Sequence, residues 1–313
     1  MKVLFLDRVH PILEERLLAS GHTTEHDYSS NYKNILPKLA QFDGLVIRSR
    51  IKIDQHLLES ASQLKFIARS GAGLENIDLE AAKKLGIEVF NSPEGNRDAV
   101  GEHAVGMLLM FLNNLKRADL EVRIGRWFRE QNRGHELGAL TVGIIGYGNM
   151  GWAFAQKLSG FGCKVLAYDK YHPKPNDKYA ENCSLDELKE QADVVSLHVP
   201  LTDETRYMID AKFINSMHKP FILINTARGP VVNTDALIAG LNDLKVRGAC
   251  LDVLEYEEGT FEALRAEELP DSYHQLCNNS NVVLSPHIAG WTEESIVKLS
   301  SILADKILAH FNK

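Results

Sequence analysis

The chain has 313 residues, 44% hydrophobic and 25% charged, which suits about two globular domains with separate cores and excludes a disordered or fibrous chain. A net charge of −7 offers no broad positive surface for a phosphate backbone, so nucleic acid is not an expected partner. The four cysteines, Cys163, Cys183, Cys250 and Cys277, are scattered with no Cys-x-x-Cys pair or histidine at ligand spacing, which points to a reduced, cytoplasmic setting and no metal site.

The opening run Val3 to Leu6 is too short for a leader's apolar region and meets Asp7 and Arg8 at once, so it reads as a first strand. No stretch approaches the roughly 18 apolar residues of a membrane span, so no membrane association is expected. Strands are then predicted at Leu45–Ile47, Phe66–Ala68 and Glu88–Phe90, with helical patterns near 11–20, 54–61 and 78–85 between them. Such alternation implies a parallel sheet. A single long helix is expected from about Asp98 to Lys116, bridging two domains, with Ala104, Val105, Leu108, Leu109, Leu112 and Leu115 on its apolar face and Gly101 and Gly106 allowing close packing.

A second series follows, with strands at Thr141–Ile145, Lys164–Tyr168, Val194–His198, Phe221–Asn225, Arg247–Leu251 and Asn281–Leu284 and a helix opening at Asn149. The last segment, Glu293 to Phe311, has Ile296, Leu299, Ile302, Leu303, Ile307 and Leu308 at helical spacing and is free to return to the first domain. The fold class is therefore α/β, with two doubly wound parallel-sheet domains.

Two glycine-rich turns compete for a nucleotide. Gly71-Ala72-Gly73-Leu74-Glu75-Asn76 follows a strand but has Asn76 at the third glycine position, and its next strand ends in Asn91. Gly146-Tyr147-Gly148-Asn149-Met150-Gly151 has all three glycines, and the helix opening at Asn149 presents N-terminal amides to a pyrophosphate. Its next strand ends in Asp169, a carboxylate suited to the adenosine ribose hydroxyls and repelled by a 2′-phosphate, although Lys170 beside it works the other way. The expected cofactor is NAD.

Ligands of open α/β sheets sit at the carboxyl ends of strands. Three polar residues stand there: Arg228 in Asn225-Thr226-Ala227-Arg228-Gly229, Glu257 beyond Arg247–Leu251, and His287 in Ser285-Pro286-His287-Ile288-Ala289-Gly290. Oxidation of a hydroxy acid needs a group to take the hydroxyl proton, which suits the imidazole of His287. Glu257 would fix its tautomer and favour its charged form. Arg228 would grip a carboxylate and polarise the neighbouring carbonyl. The bland alternatives are a loop salt bridge for Arg228 and a solvated acidic loop, Glu255-Tyr256-Glu257-Glu258, for Glu257.

At these segments the sequence resembles the D-isomer-specific 2-hydroxyacid dehydrogenases, and within them the short-form D-3-phosphoglycerate dehydrogenases. The matching motifs are Arg69 to Asp78, the Gly146 turn, His198-Val199-Pro200-Leu201-Thr202, Asn225 to Gly229, Gly248-Ala249-Cys250-Leu251-Asp252-Val253 and Ser285-Pro286-His287-Ile288. The resemblance implies a flavodoxin-like substrate domain at 1–97 and 288–313, a Rossmann NAD-binding domain at 98–287, a cleft sealed by hinge closure, and a homodimer through the nucleotide domains. It implies His287 as acid/base, Glu257 as its carboxylate partner and Arg228 as the substrate arginine. Asp252 and Thr226 would line the nicotinamide pocket, Pro200 and Thr205 would lie on the cofactor-side loop, and the Ala72-Gly73 amides would bind the substrate carboxylate. Two positions depart from the pattern: Glu258 stands where proline usually follows the catalytic glutamate, and Trp291 stands where a small residue is usual. No regulatory domain follows, so serine feedback is not expected.

Arg48 and Arg50, just past Leu45–Ile47, resemble phosphate-side residues of the phosphoglycerate enzymes. Arg129 and Arg133 lie in a basic run, Lys116 to Arg133, that either reaches a neighbouring subunit's site or is a solvated or dimer-facing helix. The expected reaction is oxidation of D-3-phosphoglycerate to 3-phosphohydroxypyruvate. A hydroxypyruvate, glyoxylate or general 2-oxoacid reductase is the alternative, and an NADH-sensing co-repressor is the alternative of a different class.

Overall fold

Apolar runs of four or five residues become parallel strands in both halves of the chain, because a strand covered on both faces has no need of polar alternation. The computed structural model describes residues 1–171, 177–257 and 269–311. They divide into two units, Met1–Asn96 with Trp291–Lys313, and Arg97–Gly290.

The first unit holds β1 (Lys2–Phe5), β2 (Thr23–His26), β3 (Gly44–Ile47), β4 (Phe66–Arg69) and β5 (Glu88–Asn91) in a parallel sheet of order β2-β1-β3-β4-β5. Successive side chains alternate between two cores, as the period of a strand requires. Leu4, Leu6, Leu45, Ile47 and Ile67 belong to one core. Val3, Phe5, Val46, Phe66 and Ala68 belong to the other, where Leu303, Ala304 and Ile307 of the final helix, Glu293–Phe311, complete it. Lys306 donates to Glu94 at 2.9 Å and Arg16 to Asp305 at 2.5 Å, so the returning helix is also fastened by charge. β2 has no counterpart among the expected strands. Its sequence Thr-Thr-Glu-His is polar because it lies at the sheet edge and is largely exposed.

The second unit holds β6 (Thr141–Ile145), β7 (Lys164–Tyr168), β8 (Glu181–Asn182), β9 (Val194–Leu197), β10 (Phe221–Asn225), β11 (Val246–Leu251) and β12 (Val282–Leu284). All pair in parallel, in the order β12-β11-β10-β9-β6-β7-β8. Strand order reverses at β6 and β9, which makes the carboxyl ends of these strands the place for a ligand.

The expected long helix is two helices, Arg97–Leu112 and Leu115–Arg123. Asn114 breaks it with φ +54, a left-handed conformation that asparagine tolerates better than most residues. Leu115 consequently leaves the apolar face and is 52% exposed. Gly101 does allow close packing, since a Cβ there would stand 3.0 Å from the Ala153 carbonyl of helix Asn149–Leu158. Gly106 has nothing within 4 Å and serves no such purpose. Among the described residues no helix is long and apolar enough to cross a membrane.

Candidate active site

The Gly146 turn uses each glycine for a separate reason. Gly146 has φ +92, and a Cβ there would come within 2.5 Å of the His198 carbonyl at the end of β9. A Cβ at Gly148 would meet no protein atom within 4 Å, which leaves the approach open on the ligand side. A Cβ at Gly151 would collide with the Gly146 carbonyl, so helix and turn pack at backbone distance. Helix Asn149–Leu158 then opens with no side-chain cap, and the first amides, at Asn149 and Met150, meet no capping side chain that would compete with an anion.

Asp169 follows β7. Its Oδ2 accepts the Tyr147 amide at 2.8 Å and its Oδ1 accepts the Tyr171 amide at 3.0 Å, so the carboxylate is fixed to the same turn. Lys170 is paired with Glu204, which also accepts from the Tyr171 hydroxyl. The loop after β9 closes on itself, with Thr205 Oγ1 donating to the Pro200 carbonyl at 2.6 Å. Thr226, after β10, has a buried Oγ1 with no partner among the described residues. An open glycine, an uncapped helix start, a fixed carboxylate and an orphaned hydroxyl together suit a dinucleotide.

The same sheet ends carry the polar group around His287. Its Nδ1 stands 2.7 Å from Glu257 Oε2, with the two side chains 28% and 24% exposed. Glu257 Oε1 accepts the Leu254 amide at 2.6 Å, so each carboxylate oxygen has a defined partner. Glu255 is equally engaged, through Tyr207 at 2.7 Å and the Thr234 amide at 3.0 Å. The acidic run is therefore not a solvated loop over these residues, and Glu258 lies outside the described residues. Gly229 is packed so closely on the Leu254 carbonyl that a Cβ would collide with it, which sets the Arg228 turn beside the Glu257 loop. Within that turn Arg228 Nη1 donates to the Ala227 carbonyl at 2.6 Å, and Asn225 donates to the Arg228 carbonyl at 3.0 Å.

Asp252 clamps the His287 turn. Its carboxylate is 1% exposed and accepts from Ser285 Oγ at 2.6 Å and from the amides of Ile288 at 2.9 Å and Ala289 at 2.8 Å. Its carbonyl accepts the His287 amide at 2.7 Å. His287 has φ +54, which for a histidine costs about 1–2 kcal/mol, and the Asp252 clamp holds it there. His103, on helix Arg97–Leu112, reaches the same clamp with Nε2 2.9 Å from Ser285 Oγ. The sequence gives no sign of His103, which is 182 residues from Ser285.

In the first unit the Ala72 and Gly73 amides meet no acceptor among the described residues, while Asn91 Nδ2 holds the Ala72 carbonyl at 2.6 Å. Arg50 is not available as a phosphate residue. Its guanidinium donates to the carbonyls of Leu6, Asp27 and Ser30, at 2.5 to 2.9 Å, and Nε to Asp7 at 3.3 Å. Arg48 differs: its guanidinium carbon stands 4.4 Å from the Trp291 ring centroid, and no protein acceptor takes its donors among the described residues. Burial pushes its basicity down and the neighbouring Asp7 pushes it back up. Arg129 is exposed beyond helix Leu115–Arg123, and Arg133 pairs with Glu130 at 2.6 Å.

Residues 105–289 match the family model for the NAD-binding domain of D-isomer-specific 2-hydroxyacid dehydrogenases. The chain belongs to this family. It is 37% identical over 285 residues to a hydroxypyruvate reductase of Thermotoga maritima, covering 91% of this chain and 89% of that protein. It is 34% identical to a D-3-phosphoglycerate dehydrogenase of Methanocaldococcus jannaschii over 98% of this chain, and spans 57% of that protein's length. A crystal structure of D-lactate dehydrogenase from Aquifex aeolicus, complexed with NAD and lactic acid, superposes with a TM-score of 0.83 at 30% identity, covering 100% of this chain and 96% of that one. The protein is thus an NAD-dependent D-2-hydroxyacid dehydrogenase with two parallel-sheet domains, and Arg97–Gly290 is its NAD-binding unit.

Proposed function

We propose that this dehydrogenase interconverts D-3-phosphoglycerate and 3-phosphohydroxypyruvate. Arg48 carries the reading. A guanidinium that meets no acceptor among the described residues, in a unit that also offers the Ala72 and Gly73 amides, provides for a second anionic group besides the carboxylate common to all 2-hydroxy acids.

In this mechanism His287 takes the hydroxyl proton, and the Glu257 carboxylate on Nδ1 makes Nε2 the ring nitrogen that exchanges it. Asp252 keeps the imidazole in its left-handed backbone position throughout. Arg228 stabilises the charge that develops on the carbonyl oxygen during reduction. Within the first unit, the Ala72 and Gly73 amides suit a carboxylate and the Arg48 guanidinium suits a phosphate. The Gly146 turn, the helix opening at Asn149 and Asp169 would hold NAD, which would supply the hydride acceptor or donor.

We also propose a homodimer through the NAD-binding unit. Helix Leu115–Arg123 has no buried residue, and Leu120, Val122, Ile124, Trp127 and Phe128 are 57%, 51%, 66%, 75% and 42% exposed. Five exposed apolar side chains within nine residues suit contact with a second copy of the chain, which would place Arg129 at the interface.

The test is a substrate panel with NADH. Phosphohydroxypyruvate is expected to give the highest kcat/KM. Hydroxypyruvate or glyoxylate turned over far more efficiently would leave a general reductase, the activity named for the Thermotoga relative. No turnover of any 2-oxo acid would leave an NADH-sensing binding protein.

A further inference from the structure

Two arginines two residues apart in the first unit have opposite environments. Arg50 gives its donors to the loops after β1 and β2 and is fixed by them. Arg48 is pinned only through its backbone, where Asp7 accepts its amide at 2.5 Å and Asn76 donates to its carbonyl at 3.1 Å. Its side chain has one contact of note, the face of Trp291. The indole covers one side of the cation, and the guanidinium N–H donors meet no acceptor among the described residues. That arrangement suits bidentate recognition of an oxyanion.

Trp291 itself is 51% exposed, so the apolar core is not what retains it. It stands at the first position of the returning segment, four residues after His287 in the sequence. A half-buried cation whose donors meet no acceptor among the described residues is costly to hold without an anion. The indole offsets part of that cost through its quadrupole and restricts the long side chain to one orientation before substrate arrives.

We infer that Trp291 is a positioning residue for Arg48, and that the stacked pair, rather than Arg48 alone, gives the enzyme its preference for a substrate with a phosphate on the carbon chain. The inference rests on the phosphorylated-acid reading given above. The contribution belongs to ground-state binding of the anion, so it falls on KM and not on the chemical step.

Three variants of the full chain separate the possibilities: W291F keeps an aromatic face, W291L keeps bulk without one, and W291A keeps neither. W291L and W291A are expected to raise KM for phosphohydroxypyruvate about tenfold, in line with a partly desolvated cation–π contact. kcat and KM for hydroxypyruvate should move little, and W291F should stay near wild type. Inorganic phosphate, used as a competitive inhibitor against whichever 2-oxo acid the enzyme prefers, should lose affinity in the same order. Wild-type behaviour of W291L, equal KM shifts for both keto acids, or phosphate inhibition that is absent or unchanged across the series would overturn the inference. If W291A fails to fold, W291L against W291F decides the matter. A wild-type preference for hydroxypyruvate sinks the substrate reading by itself, and the phosphate series then judges the Arg48–Trp291 pair independently.

Discussion

His287 shows how a single residue is made useful by what fixes it. Its backbone is in a region unfavourable to any side chain, its amide goes to the Asp252 carbonyl, and the amides of the next two residues go to the Asp252 carboxylate. Hydrogen bonds to an ionised acceptor contribute about 1.5–3 kcal/mol each, enough to outweigh the backbone cost. The ring can then be presented in one tautomer by Glu257. His287→Ala removes the proposed proton carrier without touching the Gly146 turn, so kcat should fall about 10²–10⁴-fold while NADH affinity, read by fluorescence titration, stays within about twofold. Turnover near the wild-type rate would assign the proton to another group. The chemical roles at this scale are legible in the sequence because residue type and position after a strand suggest them. The difference between Arg48 and Arg50 is not. It depends on the Leu6, Asp27 and Ser30 carbonyls, brought together by the loops after β1 and β2.

At the scale of elements, the buried strands were readable for the same physical reason that they are stable: β3, β9 and β10 are buried throughout and have the apolar runs that burial demands. The edge strands β2 and β8 carry Thr-Thr-Glu-His and Glu-Asn, which no hydrophobic pattern distinguishes from loop. The split at Asn113 and Asn114 is legible only as turn chemistry, and helical periodicity running through Leu115 conceals it. The second helix of that pair follows neither buried rule, since its apolar residues face outward. If a second copy covers them, Ile124→Lys should shift the protein from dimer to monomer in light scattering at micromolar concentration, because a buried unpaired ammonium costs several kcal/mol. A monomer already in the wild type, or a dimer unaffected by the change, would count against the proposed interface.

For the whole molecule, the same loop that builds the cofactor site also sets its acid stability. His198 follows β9, its carbonyl excludes a side chain at Gly146, and its ring packs 5.4 Å from Phe154 with Nε2 2.8 Å from Ser196 Oγ. Its Nδ1 is buried with no partner among the described residues, and burial pushes the imidazole down to about 3. The unfolded chain would take up a proton near pH 6.5 that the folded ring refuses until about pH 3, so stability is full above pH 6.5 and falls as pH drops between those values. One such group limits the slope to about 1.4 kcal/mol per pH unit. His22 in the first unit, also lowered mainly by burial, adds to the slope with the same sign. Asp27 is held down by its hydrogen bond from Lys38. At Asp43 burial pushes upward, but the Lys65 and Lys2 donors outweigh it. Their contribution is present above the unfolded value near 4 and is lost only below it, which leaves pH 4.5–6.5 as the histidine window. His198→Gln, whose amide can keep the Ser196 contact, should lower Tm less steeply than wild type across that window, with the two profiles parallel above pH 7. Equal slopes would mean that the His198 ring admits a proton in the folded state, and that the cofactor loop tolerates a charge beside Phe154.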